Sequence, residues 1–312
     1  MRSGGPLPWF IRLTISVTVL ALLLAFVPLG ELWAAVRQTP PSLWLTSLAL
    51  FLLGHVAGAV KWRLLMAGRV SVPPRLWLSA HFAGLGANLW LPSVAGGDVV
   101  RATWVMARSE QKEKILLASL LDRVIDVVGL MTLAGMGMLW VGHRSAAATL
   151  TLLVAGGLIA AGLVIGTALV FYLARRRRWS MATRLVDGIK LLGARPWLFV
   201  GAFTLSLIVQ TTFIMVNVRL GQATGVRVEP AAWFVSWPLA KLTASIPVSL
   251  AGIGVREAAL VFFMRPFTAV SSTVLAAGLL WESVVVAGGL AGLLISAGLS
   301  SNRPTRAMPS EP

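Results

Sequence analysis

The stretch LPSVAGGDVVRA at residues 91–102 decides how this chain is read, because a variant of it returns as IPVSLAGIGVREA at 246–258. Counted from Pro92 and Pro247, a glycine recurs five positions on (Gly97, Gly252), a valine eight on (Val100, Val255) and an arginine nine on (Arg101, Arg256). Each copy ends an apolar run too interrupted to form one uniform helix. The first run, about 76–100, contains Gly84, Gly86, Asn88, Pro92, Gly96 and Gly97. The second, about 231–256, contains Pro238, Lys241, Pro247, Gly252 and Gly254. Proline removes a helical donor and glycine weakens the helix. Broken backbone of this kind persists at membrane depth only when buried in protein or lining a wet cavity.

The membrane is set by the rest of the chain. Hydrophobic residues make up 57% of it, charged residues 12%, and the mean hydropathy is +0.83, far too apolar for a soluble globule. A span needs about 20 apolar residues. Clear spans of that kind lie at roughly 9–29, 42–60, 115–141, 147–173, 196–219 and 272–298. The first follows Arg2 and Arg12 and reads as a retained helix rather than a cleaved signal, since many spans come after it. The net charge of +16 sits in short segments between apolar runs, the mark of cytoplasmic loops beside anionic lipid headgroups. Nucleic acid is therefore not an expected partner. With no cysteine, the chain has no disulfide, iron–sulfur or thiolate-metal chemistry.

Charge placement gives the topology. Lys61, Arg63, Arg69 and Arg75 mark one cytoplasmic segment, and Arg101, Arg108, Lys112 and Lys114 the next. The broken stretch between them then enters and leaves on the same side. The run RRRR at 175–178 agrees in parity, and both termini come out cytoplasmic in an inner membrane. Each half, 9–141 and 147–298, reads as span, span, re-entrant stretch, span, so the halves have opposite orientation. The expected fold is an all-α polytopic membrane protein of about six spanning helices plus two re-entrant broken helices in an inverted repeat, a secondary-transporter architecture. A single membrane domain covers 1–312, with 299–312 a disordered cytoplasmic tail.

Arg101 and Arg256 are the candidate phosphate-binding residues. Guanidinium grips phosphate oxygens in a bidentate fork, and the preceding glycines let a headgroup approach backbone N–H groups. Asp98 and Glu257 give each re-entrant tip an acid beside its base, for neutralisation, orientation or proton coupling. Asp122, Arg123 and Asp126 lie in LLDRVIDVVGL, with the two aspartates one turn apart on one helix face. Glu282 is embedded in the last span without a local partner, open either to a polar path or to an ion pair with the other half. Asn88 can cap broken backbone or touch a headgroup. His55 and His81 read as packing or single hydrogen-bond residues, since no metal-ligand cluster accompanies them. Tryptophans such as Trp33, Trp62 and Trp77 read as the interfacial belt. No nucleophile elbow, phosphate loop or zinc motif is present, so no catalytic residue, cofactor or metal is assigned and the chain is not read as an enzyme. An enzyme acting on lipid phosphate would have to use the buried carboxylates alone.

Four stretches carry a family resemblance: VKWRLLM (60–66), NLWLPSVAGGDVVRATW (88–104), LLDRVIDVVGL (120–130) and IPVSLAGIGVREAAL (246–260). Together they resemble the transmembrane region of the lysylphosphatidylglycerol synthase, or flippase-like, family. Asp98 stands where that pattern often has glutamate. The resemblance implies lipid handling: binding and moving an anionic phospholipid or polyprenyl-linked lipid. The alternative it allows is an accessory subunit presenting lipid to a separate aminoacyl- or glycosyltransferase. No transferase domain lies within these 312 residues, so aminoacyl transfer is not implied for them. Cargo, energy source and oligomeric state stay open.

Overall fold

The computed structural model describes residues 29–66, 70, 73–91, 96–141, 157, 196–245 and 254–301. Among them every regular element is helical: α1 (Leu29–Arg37), α2 (Pro41–Met66), α3 (Pro74–Ala87), α4 (Gly96–Met106), α5 (Lys112–Val141), α6 (Pro196–Ala223), α7 (Pro230–Ala244), α8 (Val255–Met264) and α9 (Ser271–Ser301), with a 3-10 turn at Arg265–Phe267. Four are long and apolar enough to cross a membrane: α2, α5, α6 and α9. They correspond to the expected spans 42–60, 115–141, 196–219 and 272–298. The expected spans 9–29 and 147–173 fall almost entirely outside the described residues, as do Pro92, Pro247 and Gly252. Of the expected tail 299–312, Leu299–Ser301 belong to α9 and 302–312 lie outside the described residues.

Proline sets several helix starts. Pro41, Pro74, Pro196 and Pro230 each occupy the first helical position, where a missing N–H costs nothing and the fixed φ is already helical. The α2 and α6 prolines are separated by the same interval as Pro92 and Pro247. Pro238 lies inside α7, which continues through it as a wholly buried turn.

Both broken stretches resolve into a helix, a break and a second short helix: α3 to α4, and α7 to α8. Glycine is required at each break for a different reason. A Cβ on Gly97 would strike the carbonyl oxygen of Gly84, and one on Gly84 would strike that of Gly97, so α3 and α4 meet backbone to backbone. Gly254 has φ of 80°, a conformation that side-chain-bearing residues rarely adopt, and its N–H donates to Glu257 Oε2 at 2.8 Å. The first break is closed by Asn88, whose Oδ1 accepts from the Gly97 N–H at 2.6 Å. Asn88 thus caps broken backbone.

Helix pairing follows one scheme in both halves. The spans α2 and α6 run antiparallel: Gly54 abuts Phe213 near their crossing, and Gly201 at the start of α6 faces Leu64 near the end of α2. Helix α3 lies antiparallel to α9, through Ser79 with Ser296 and Ser300, and Gly86 with Leu293. Helix α7 lies on α5 in the same sense, with Gly137 against Phe234 and Val235 while Asp126, earlier in α5, and Lys241, later in α7, line one cavity. The largest buried cluster joins Phe51 of α2, Phe213 of α6, Trp237 of α7 and Trp281 of α9, with ring centroids 5.3–5.6 Å apart. A second cluster packs Trp62 and Trp77 with Ile115 and Ile125. Trp62 is fully buried and Trp77 nearly so, which takes both out of the interfacial belt, whereas Trp33 is 57% exposed.

Candidate polar cavity

The first broken element delivers Arg101 to a buried ion network. Helix α4 begins at Gly96, which turns Arg101 inward against α5. Its Nη2 donates to Asp122 Oδ2 at 2.9 Å and lies 3.2 Å from Asp98 Oδ1. Its guanidinium sits 4.4 Å above the Trp62 ring, and Nη1 approaches His81 Nδ1 at 3.2 Å. Lys61 is 3.0 Å from Asp122 Oδ1 and also pairs with Asp126, which accepts from Ser206 Oγ at 2.6 Å. Arg123 pairs with Asp98. Asp122 and Asp126 do share a helix face, because one lysine reaches both.

Lys61 corrects the reading of 61–75 as a wholly cytoplasmic segment. It is 4% exposed and belongs to the inner face of α2. Its position at the end of an apolar run gave it the look of a loop marker, and its partners, more than sixty residues away, are invisible to local pattern.

These groups line a cavity of about 170 Å³ between α2, α3, α4, α5, α6 and α7. Among the described residues its wall carries four basic side chains, Lys61, Arg101, Arg123 and Lys241, against three carboxylates, Asp98, Asp122 and Asp126. Lys241, which the sequence presented only as a helix-breaking charge, donates to Gln210 Oε1 at 2.7 Å and sits 5.4 Å from the Phe213 ring centroid. No carboxylate pairs with it among the described residues. His55 and His81 also line the cavity, with Nδ1 and Nε2 facing at 3.3 Å. Lys241 and Gln210 had a faint sequence signal, as polar residues set in apolar runs.

Arg256 goes elsewhere. It contacts Glu257 Oε1 through Nε and Nη2, both at 3.1 Å, pairs with Glu282, and lies 5.8 Å from the Trp237 ring centroid. Glu282 therefore has a partner from its own half of the chain. The two arginines of the repeated motif are not brought to one site: Arg101 lines the cavity, while Arg256, Glu257 and Glu282 form a second buried cluster outside its wall.

Apolar helices of spanning length, tied together by buried ion pairs around a polar cavity, define a polytopic integral membrane protein. Residues 9–292 match the family described as the lysylphosphatidylglycerol synthase TM region, and the chain belongs to that family. A comparison with curated proteins gave no match.

Proposed function

We propose that this protein binds a lipid with an anionic, phosphate-bearing headgroup in the cavity and carries that headgroup across the inner membrane. One observation carries the reading: Lys241 contributes a cation to a cavity wall whose carboxylates are already engaged by Lys61, Arg101 and Arg123. A charge held away from water without a counterion is costly, and a lipid phosphate supplies the missing one. The volume, about 170 Å³, is below the roughly 300–1,000 Å³ of pockets that enclose whole ligands, so the headgroup enters while the acyl chains remain in the bilayer.

The inverted repeat belongs to this reading. It is supported by the antiparallel α2–α6 pair and by the matching α3–α9 and α7–α5 pairings, each exchanged for the other when the halves are swapped. It implies that α3–α4 opens toward the cytoplasm and α7–α8 away from it, with the termini cytoplasmic. Arg101, Asp98, Asp122, Asp126 and Arg123 then shape the cytoplasmic approach, and Arg256, Glu257 and Glu282 the opposite one.

Reconstitution into vesicles containing a headgroup-labelled phosphatidylglycerol tests it. Wild-type protein should expose inner-leaflet label to an impermeant quencher, and Lys241→Met should not. Equal rates in the two, or no movement by either, would sink the transport reading.

A second reading is favoured by the family description itself, which names a synthase: the domain presents lipid to a separate transferase. It requires the same binding without movement, so binding in the absence of transport in those vesicles selects it.

A further inference from the structure

We infer that His55 is a headgroup-recognition residue, held as a neutral hydrogen-bond donor by a relay that begins at Arg101. The inference rests on the proposed anion site and adds to it a second donor and its mechanism of orientation.

The argument starts from what each atom is able to do. Guanidinium has only donors, so at the 3.2 Å contact Arg101 Nη1 donates and His81 Nδ1 accepts. A ring nitrogen that accepts carries no proton, which places the His81 proton on Nε2. That nitrogen faces His55 Nδ1 at 3.3 Å and donates to it. His55 in turn carries its proton on Nε2. One permanently charged residue thus fixes two tautomers in sequence, the way a second partner fixes the orientation of a functional imidazole.

The His55 Nε2–H has no acceptor among the described residues. The ring itself is held by Phe51, edge-on at 4.5 Å, and by Phe213, with centroids 6.0 Å apart. Phe213 is also the ring beside which Lys241 sits. His55 and Lys241 therefore flank one aromatic side chain, and both line the cavity. Lys241 has three N–H donors and gives one to Gln210, so two remain. The unspent groups of this wall include the donors of His55, Lys241 and Arg101 Nε, which are the complement of a phosphoryl oxyanion.

Arg101 has a different role here from the one its motif suggested. Asp98 and Asp122 take its Nη2, His81 faces its Nη1 and Trp62 covers its face, so that Nε alone is left without a partner among the described residues. It acts on the ligand through the histidines and is a positioning residue.

The chain has only three histidines, so ¹⁵N-histidine spectra of the full-length protein in micelles are assignable by single substitutions. In the ligand-free protein both His55 and His81 should show protonated Nε2 and unprotonated Nδ1. Dihexanoyl phosphatidylglycerol should shift His55 Nε2. His55→Leu should weaken its binding at least tenfold, His55→Gln should restore most of it, and Arg101→Lys should scramble the His81 tautomer. Titration with inorganic phosphate separates a free anion from a lipid headgroup as the source of the oxyanion, and either one shifting His55 Nε2 supports the relay. Phosphatidylglycerol binding with His55 Nε2 unmoved, or with His55→Leu as tight as wild type, would overturn the inference and leave the anion site standing. Absence of any binding to wild-type protein would remove the anion site and the inference together.

Discussion

Arg101 and Asp122 meet at 2.9 Å with side chains 4% and 5% exposed, and Lys61 closes on the other oxygen of the same carboxylate. Asp122 is thus the shared anion of two buried cations. Removing it strands charge on both sides, and breaking a buried pair by deleting one partner costs about 3–5 kcal/mol. Asp122→Asn should therefore lose stability of that order in denaturant unfolding in micelles. Lys61→Met combined with Asp122→Asn should cost less than the two losses added, because each single change leaves the other residue's charge behind.

The α5–α7 contact makes a sharper steric prediction. A Cβ at Gly137 would come within 2.9 Å of the backbone and Cβ of Phe234, whereas one at Gly135 meets nothing within 4 Å. Gly137→Ala should destabilise by about 1–3 kcal/mol through overpacking. Gly135→Ala should be neutral or stabilise by up to about 1 kcal/mol, the helix-propensity gain. The two substitutions are chemically identical and two residues apart, so a common result in thermal unfolding would place α7 wrongly.

What the sequence disclosed divides along a physical line. Periodicity-free apolar runs and helix-breaking prolines and glycines are local signals, so α2, α5, α6 and α9, and the breaks before Arg101 and Arg256, were legible. Gly97 was legible as a break but not as a backbone contact, because Gly84 is brought to it only by folding. The charges were readable as candidates and unreadable as partners. Asp98 joins both Arg101 beside it and Arg123 from another helix, and Lys61 finds Asp122 and Asp126 across the bundle. Arg101 and Arg256 look equivalent in sequence because their local motifs match. They diverge because α5 presents Asp122 to one, whereas α9 presents Glu282 to the other.

That divergence is testable. Among the described residues Arg256 is the single cation between two carboxylates, Glu257 being fully buried and Glu282 12% exposed. Arg256→Met leaves two acids in a poor dielectric and should cost about 3–5 kcal/mol. Glu282→Gln leaves Arg256 still paired with Glu257, and its cost should be smaller by at least about 1 kcal/mol, the size of a net hydrogen bond. Unfolding of both variants in the same micelles gives the ranking, and the reverse order would mean that Glu282 rather than Glu257 holds the arginine.

The antiparallel helix pairs predict which loops share a side. The turn before α5, at Glu110, lies at the end of the bundle where α2 finishes and α6 begins. Gln222, at the end of α6, lies at the opposite end with Pro40 and the start of α2. On the proposed orientation, in which Arg108, Lys112 and Lys114 mark the first end as cytoplasmic, Glu110→Cys should react with an impermeant thiol reagent only in inverted vesicles. Gln222→Cys should react in spheroplasts of intact orientation. The chain has no cysteine of its own, so each signal is unambiguous. Labelling of both from one side is incompatible with α2 and α6 crossing the membrane in opposite senses. It would leave α3–α4 and α7–α8 opening toward the same compartment, and a lipid headgroup released from Lys241 would have no second face to reach.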